Sequence, residues 1–105
     1  MTQFTVYKNS NRSTQKNYPY LLDIQTNLLS MLRTTVVIPL MQKKVAGDHI
    51  ISRLNPVLKI KNESFILMTQ NIAGVDRDVH GAEVCELHIY RSAVISAFDF
   101  VLTGI

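Results

Sequence analysis

Apolar and polar positions alternate near the start of the chain, where Gln3-Phe4-Thr5-Val6-Tyr7 sets Phe4 and Val6 on one face of an extended segment. Lys8 to Asn17 is almost wholly polar and cannot bury a face of its own, which predicts a mobile hairpin tip. The β pattern resumes at Tyr18-Pro19-Tyr20-Leu21-Leu22-Asp23-Ile24, with Pro19 near the strand's beginning, where a missing amide donor does least harm. It runs out at Gln25-Thr26-Asn27. Thr35-Val36-Val37-Ile38-Pro39-Leu40 is rich in β-branched residues and has no polar break, as in a strand covered on both faces. Pro39 predicts that this strand stops there or becomes an edge.

From Met41 to Asn55 the pattern is weak, and only a surface loop at Gly47-Asp48-His49 is read there. Val57-Leu58-Lys59-Ile60 and Ser64-Phe65-Ile66-Leu67-Met68-Thr69 predict two strands joined by Lys61-Asn62-Glu63, a connection short enough for a hairpin. A short extended piece is expected near Asp78-Val79-His80. The period then changes. Tyr90, Val94, Ala97, Phe98, Val101 and Leu102 fall on one side of a helix, and Gly104 is a natural stop just past it. With no internal repeat or linker, residues 1–105 read as a single domain, mainly β with a C-terminal α-helix, a small barrel or rolled sheet against which the helix packs.

At 105 residues and 47% apolar composition, the chain is long enough for one core. A domain this small gains from burying further apolar area in a dimer. The net charge of +3, from eleven Lys and Arg against eight Asp and Glu, is spread singly rather than in a stripe. That distribution suits an acidic protein partner better than nucleic acid. Met1-Thr2-Gln3-Phe4 has no charged leader before an apolar run, the single Cys85 allows no internal disulfide, and no run of 18 to 20 apolar residues occurs. The expectation is a cytoplasmic protein with no membrane segment.

The search for chemistry is sparse. His49, His80 and His88 are dispersed and Cys85 stands alone, so no metal-ligand spacing is present and no cofactor is expected. Each histidine reads as a surface or partly covered side chain, and Cys85 as a small apolar one. The glycines stand singly, without a phosphate loop. Asn62-Glu63-Ser64 has the form of a glycosylation acceptor but reads as a hairpin turn. Arg33, Thr34, Arg53 and His49 could supply a metal-free ribonuclease if folding gathered them, though nothing in their spacing singles them out over ordinary solvated side chains.

Taken together, Gln3-Phe4-Thr5-Val6-Tyr7, Leu22-Asp23-Ile24-Gln25, Val37-Ile38-Pro39-Leu40, Glu63-Ser64-Phe65 with Met68-Thr69, and Asp99 to Ile105 resemble the CcdB family of toxins in order and spacing. The resemblance spans nearly the whole chain. It implies a fold shared with the MazF ribonucleases, a small Src-homology-3-like barrel with an added sheet and a C-terminal helix, working as a homodimer. It implies a toxin that binds the A subunit of DNA gyrase and traps its cleaved-DNA complex without catalysing a reaction itself. A second implied partner is a short CcdA-like antitoxin with an acidic disordered tail, and DNA would be met only through that antitoxin or gyrase.

The gyrase-contacting positions of the family fall here on Asp99, Leu102, Thr103, Gly104 and Ile105, with Leu28 and Leu29 in place of a neighbouring apolar pair. Without the resemblance, Thr103-Gly104-Ile105 is only a helix stop. A helix end exposing small and apolar residues, doubled by a two-fold axis, makes a platform for a symmetric target. The best-known member carries tryptophan where Thr103 stands, this chain has no Trp, and Asp76 replaces a proline of the family pattern. The antitoxin is expected partly over the same region, with Arg91 and the basic hairpin tip as contributors. The alternative functions are a MazF-like ribonuclease cutting single-stranded RNA and an inactive relative kept as a transcriptional co-repressor.

Overall fold

Alternating side chains give short strands with one face for a core, and in the computed structural model, which describes residues 3–47 and 50–104, they assemble into one antiparallel sheet. The strands are β1 (Thr5–Asn9), β2 (Tyr20–Asp23), β3 (Thr34–Gln42), β4 (Val57–Ile60), β5 (Glu63–Leu67), β6 (Ala73–Asp76) and β7 (His80–Glu86). A four-residue helix α1 (Lys43–Ala46) follows β3, and α2 (Arg91–Thr103) ends the fold. The order across the sheet is β4-β5-β3-β2-β1-β7, with β6 also paired to β3. It curls into a half-barrel around Phe4, Val6, Leu22, Ile38, Leu40, Leu58, Ile60, Phe65, Leu67 and Leu87, and α2 inserts Val94 into that cluster. Each fully buried Leu or Ile contributes roughly 1.5–3 kcal/mol. The mainly β architecture with a terminal helix is the one the sequence predicts.

β3 is the central strand, buried as expected, but Pro39 neither ends it nor makes it an edge. Along one side β3 pairs with β2, Leu22 opposite Ile38 and Leu21 opposite Pro39. Along the other it pairs with β5 over Leu40 to Gln42 and with β6 over Thr34 to Val37. Pro39 faces this second side, since its carbonyl accepts from the Met68 amide at 3.0 Å. Having no N–H to give, it sits where the partner strand is broken by a 3-10 turn at Thr69–Asn71. The interruption falls on the neighbour, and β3 runs on to Gln42.

Other connections follow from local chemistry. Lys61 and Asn62 have φ of 52° and 68°, the left-handed pair of a two-residue type I′ hairpin between β4 and β5. Phe4 also has φ of 64°. Its amide donates to Asp23 of β2 while its carbonyl accepts from Leu87 beyond β7, opposite directions that a regular extended residue cannot serve. The left-handed geometry costs about 1–2 kcal/mol and is offset by burial of the ring. The segment before β4 is fastened by Asn55, whose amide donates to the Leu67 carbonyl (3.0 Å) and Gln70 Oε1 (2.7 Å) and accepts from the Ile51 amide (3.0 Å).

Lys8 to Asn17 is more structured than its polarity predicts. Lys8 and Asn9 extend β1, and buried Asn9 donates to Thr14 Oγ1 and the Tyr18 carbonyl, both at 2.9 Å. The extended piece expected near Asp78-Val79-His80 is a 3-10 turn at Arg77–Val79, with β7 starting at His80. Among the described residues, no helix is long and apolar enough to cross a membrane.

Candidate functional site

Helix α2 carries the first half of the site. Val94 and Ala97 are buried, Ile95 and Phe98 half-buried, and in the last turn Val101 and Leu102 are 39% and 65% exposed. Asp99, Thr103 and Gly104 are exposed as well. Gly104 stops the helix as the sequence predicts, with φ 72°, ψ 16° and its amide donating to Phe100 at 2.8 Å. Thr103 Oγ1 donates to the Asp99 carbonyl at 2.9 Å. Ile105 lies outside the described residues.

The loop between β2 and β3 carries the second half. Leu28 and Leu29 sit in a 3-10 turn at Asn27–Leu29 whose start is capped by Thr26. Leu28 is 90% exposed and Leu29 44%. The loop also bares Met31 (96%) and Leu32 (48%), two residues that sequence reasoning did not assign to the site. Their signal was available: Leu28-Leu29-Ser30-Met31-Leu32 puts four apolar side chains in five positions with no strand or helix period to bury them.

A groove of about 250 Å3 lies between α2 and the residues that flank the loop, lined by Gln3, Phe4, Ile24, Gln25, Val36, Val94, Ile95 and Phe98. Gln25 belongs to both halves, because its amide also donates to the carbonyls of Leu29 (3.4 Å) and Thr34 (3.2 Å). Leu102 lies one turn beyond Phe98 on the helix face that lines the groove.

Beneath the loop lies a buried polar cluster that the sequence did not reveal. Thr35 Oγ1 donates to both carboxylate oxygens of Asp23 at 3.0 and 2.9 Å, and the Gln25 backbone N–H donates to Oδ1 at 3.0 Å. His80 Nε2 lies 3.0 Å from Asp23 Oδ2, both side chains being 4% exposed, and the imidazole stacks on Tyr7 at 4.2 Å. His80 Nδ1 is buried without a hydrogen-bond partner. His80 is thus a core residue, contrary to its reading as a surface or partly covered side chain. Cross-strand pairing places it opposite Asn9, and 57 residues separate it from Asp23 in sequence. His88 is half-exposed as expected, and His49 lies outside the described residues.

The remaining candidates are dispersed. Arg33 is exposed and pairs with Asp76 at 3.6 Å, Thr34 opens β3 on the surface, and Arg53 stacks over the Phe100 ring of α2 at 4.9 Å. The two arginines therefore serve different elements. Burial pushes the Cys85 thiol up; Lys61 opposes this and Glu86 adds to it. No cluster of three or more His, Cys, Asp or Glu that could hold a metal occurs among the described residues.

Comparison with known proteins places this geometry in context. A family model described as CcdB protein matches residues 3–104. Among solved structures, an endoribonuclease in complex with its cognate antitoxin, from a mycobacterial species, superposes with a TM-score of 0.74 at 14% identity, covering 97% of this chain and 94% of that one. An endoribonuclease from a mycobacterial species superposes at 0.70 with 13% identity, covering 97% and 90%. At these identities the likeness is one of fold.

Proposed function

The chain belongs to the CcdB family, toxins of toxin–antitoxin systems, and we propose that it acts by binding the A subunit of DNA gyrase and trapping the gyrase–DNA cleavage complex. The observation that carries this reading is the exposure of the residues that matching to the family singled out. Leu28 and Leu102 are 90% and 65% exposed, with Asp99, Thr103 and Gly104 beside Leu102 at the exposed helix end. Apolar side chains left uncovered in this way mark an interaction surface. A protein that prefers one state of its target shifts the population toward that state by its differential affinity, which suffices for trapping and needs no catalytic group.

The working unit is a homodimer, which doubles the helix ends about a two-fold axis to meet a symmetric target. Exposed Val101 and Leu102 and the apolar groove beside them support this. The second partner is a CcdA-like antitoxin with an acidic tail, ordered against the groove and drawn by the chain's net charge of +3. Arg91, Arg12 and Lys16 are exposed and free to contribute charge. DNA is met through gyrase or the antitoxin.

RNA cleavage is the competing activity, and the fold likeness to endoribonucleases is what speaks for it. Against it, the acid, imidazole and hydroxyl of Asp23, His80 and Thr35 are sealed from solvent, and Arg33 and Arg53 are held by different partners. The deciding experiment incubates the purified protein with gyrase, ATP and supercoiled plasmid and scores linear DNA released by detergent and protease. Linear product is expected, and it disappears on deletion of Thr103 to Ile105 with the fold retained. RNA degraded without gyrase, and no linear DNA, would overturn the proposal in favour of the nuclease.

A further inference from the structure

The β2–β3 loop poses a physical problem. Thr26 to Thr34 is exposed throughout, and its four apolar side chains point to solvent, so burial does not fix its shape. Turns of this kind open at little cost unless something else holds them. The Gln25 side chain ties the loop's flanks at Leu29 and Thr34, and its far half, Leu32 and Arg33, is held by Arg77, at the start of the 3-10 turn between β6 and β7. Its Nε donates to the Leu32 carbonyl, a terminal guanidinium nitrogen donates to the Leu29 carbonyl at 3.1 Å, and its backbone amide donates to the Arg33 carbonyl at 2.8 Å. One residue thus takes three carbonyls spread over five positions, two of them with the planar fork that only a guanidinium offers and the third with its backbone. The Asp76 side chain accepts from the Asp78 amide at 2.9 Å, fixing the turn from which Arg77 reaches, and also pairs with Arg33.

We propose that Arg77 is a positioning residue of the toxin surface, a clasp that holds the β2–β3 loop in the shape presenting Leu28 and Leu29 to the target. This rests on the reading of that loop as part of the gyrase-binding surface. A loop already in its binding shape spares the partner the ordering cost, and affinity falls in proportion to the fraction of molecules in that shape. Without the clasp the ordered fraction drops, and binding weakens although Arg77 holds the loop through its backbone carbonyls and not through the apolar side chains.

The test measures amide hydrogen exchange of the full-length protein and its affinity for the purified A subunit of gyrase, in Arg77→Ala, Arg77→Lys and Leu28→Ala. For Arg77→Ala, the loop is expected to be ordered in only about a tenth of molecules, so exchange at Leu29, Ser30 and Leu32 should accelerate about tenfold or more, nearly to the rate of unprotected amides, while β1, β2 and β3 keep their protection. Affinity should fall by about tenfold, following the ordered fraction. Arg77→Lys should recover less than half of either effect, because an ammonium cannot span both side-chain-bound carbonyls. Unchanged loop exchange in Arg77→Ala would overturn the clasp, as would loss of protection throughout the chain in either Arg77 variant. Leu28→Ala separates the premise from the inference. Full affinity in Leu28→Ala, with fast loop exchange in Arg77→Ala, would sink the gyrase reading of the loop and leave the clasp standing.

Discussion

Replacing Asp23 with alanine removes the acceptor from three donors at once, and the energetic consequence can be worked from the geometry. Thr35 Oγ1 and, with its proton on Nε2, His80 both donate to a carboxylate that is 4% exposed, at distances between 2.9 and 3.0 Å. Each would be left buried and unpaired, at about 1–3 kcal/mol apiece. The Gln25 backbone N–H is only partly buried, so water can replace the carboxylate there, and it is discounted. The sum is about 2–6 kcal/mol, a large share of the roughly 5–15 kcal/mol that holds a domain folded. Thr35→Val keeps the shape and leaves the carboxylate two partners, so it should cost only about 1 kcal/mol. In the double variant the stranded hydroxyl is gone, and the loss should fall short of the sum by about 1–2 kcal/mol. Urea denaturation followed by far-UV circular dichroism, at one fixed protein concentration, gives all three values. A loss under about 1 kcal/mol for Asp23→Ala, or strict additivity in the double variant, would refute the account of this cluster as a coupled buried network.

Three further expectations concern other parts of the molecule. Asn55→Ala, which deletes three hydrogen bonds at a residue 1% exposed, should cost about 2–4 kcal/mol in the same titration; a near-neutral result would mean that the segment before β4 is held by something else. Lys61→Asn with Asn62→Gly gives the type I′ turn its preferred pair and should raise stability by about 1 kcal/mol, so an unchanged denaturation midpoint would count against the turn geometry. The Cys85 thiol lies above its usual range through burial, with Lys61 opposing and Glu86 adding to the rise. Its folded value exceeds the unfolded one, so folding favours the neutral thiol, and stability is lost as pH climbs past the ordinary thiol range. At neutral pH it should react with a disulfide reagent more slowly than free cysteine and speed up with pH, and a rate matching free cysteine would contradict this.

Strands were legible where the sequence alternates, as at the start of β1 and in β4, or where a short β-forming apolar run is bounded by turn residues, as in β2 and β5. β6 and β7 show neither pattern. Ala73-Gly74-Val75-Asp76 offers little to bury, and β7 is an edge strand whose pairing with β1 shifts register twice, breaking the period of two. The helix stripe was real, yet periodicity could not reveal that Leu102, on the same face as buried Val94 and half-buried Phe98, is left 65% exposed. Of the candidate site, the positions at the helix end and Leu28 and Leu29 came from family resemblance, and the structure adds the exposure of Met31 and Leu32 and a groove along α2. The Asp23–His80 contact was out of reach, since a pair 57 residues apart leaves no local trace when the strands joining them are themselves hard to see.

The break opposite Pro39 bears on the fidelity of assembly. In the native pairing the proline nitrogen faces the gap between β5 and β6, where no donor is called for. A slip of β3 by one residue against β2 would turn every side chain to the other face and swing that nitrogen toward β2. The misaligned strand would lose a rung of its ladder as well as its core. Pro39 thus works as a key cut for one lock position: harmless in the correct alignment, obstructive one step away, and set in the strand on which three neighbours must align.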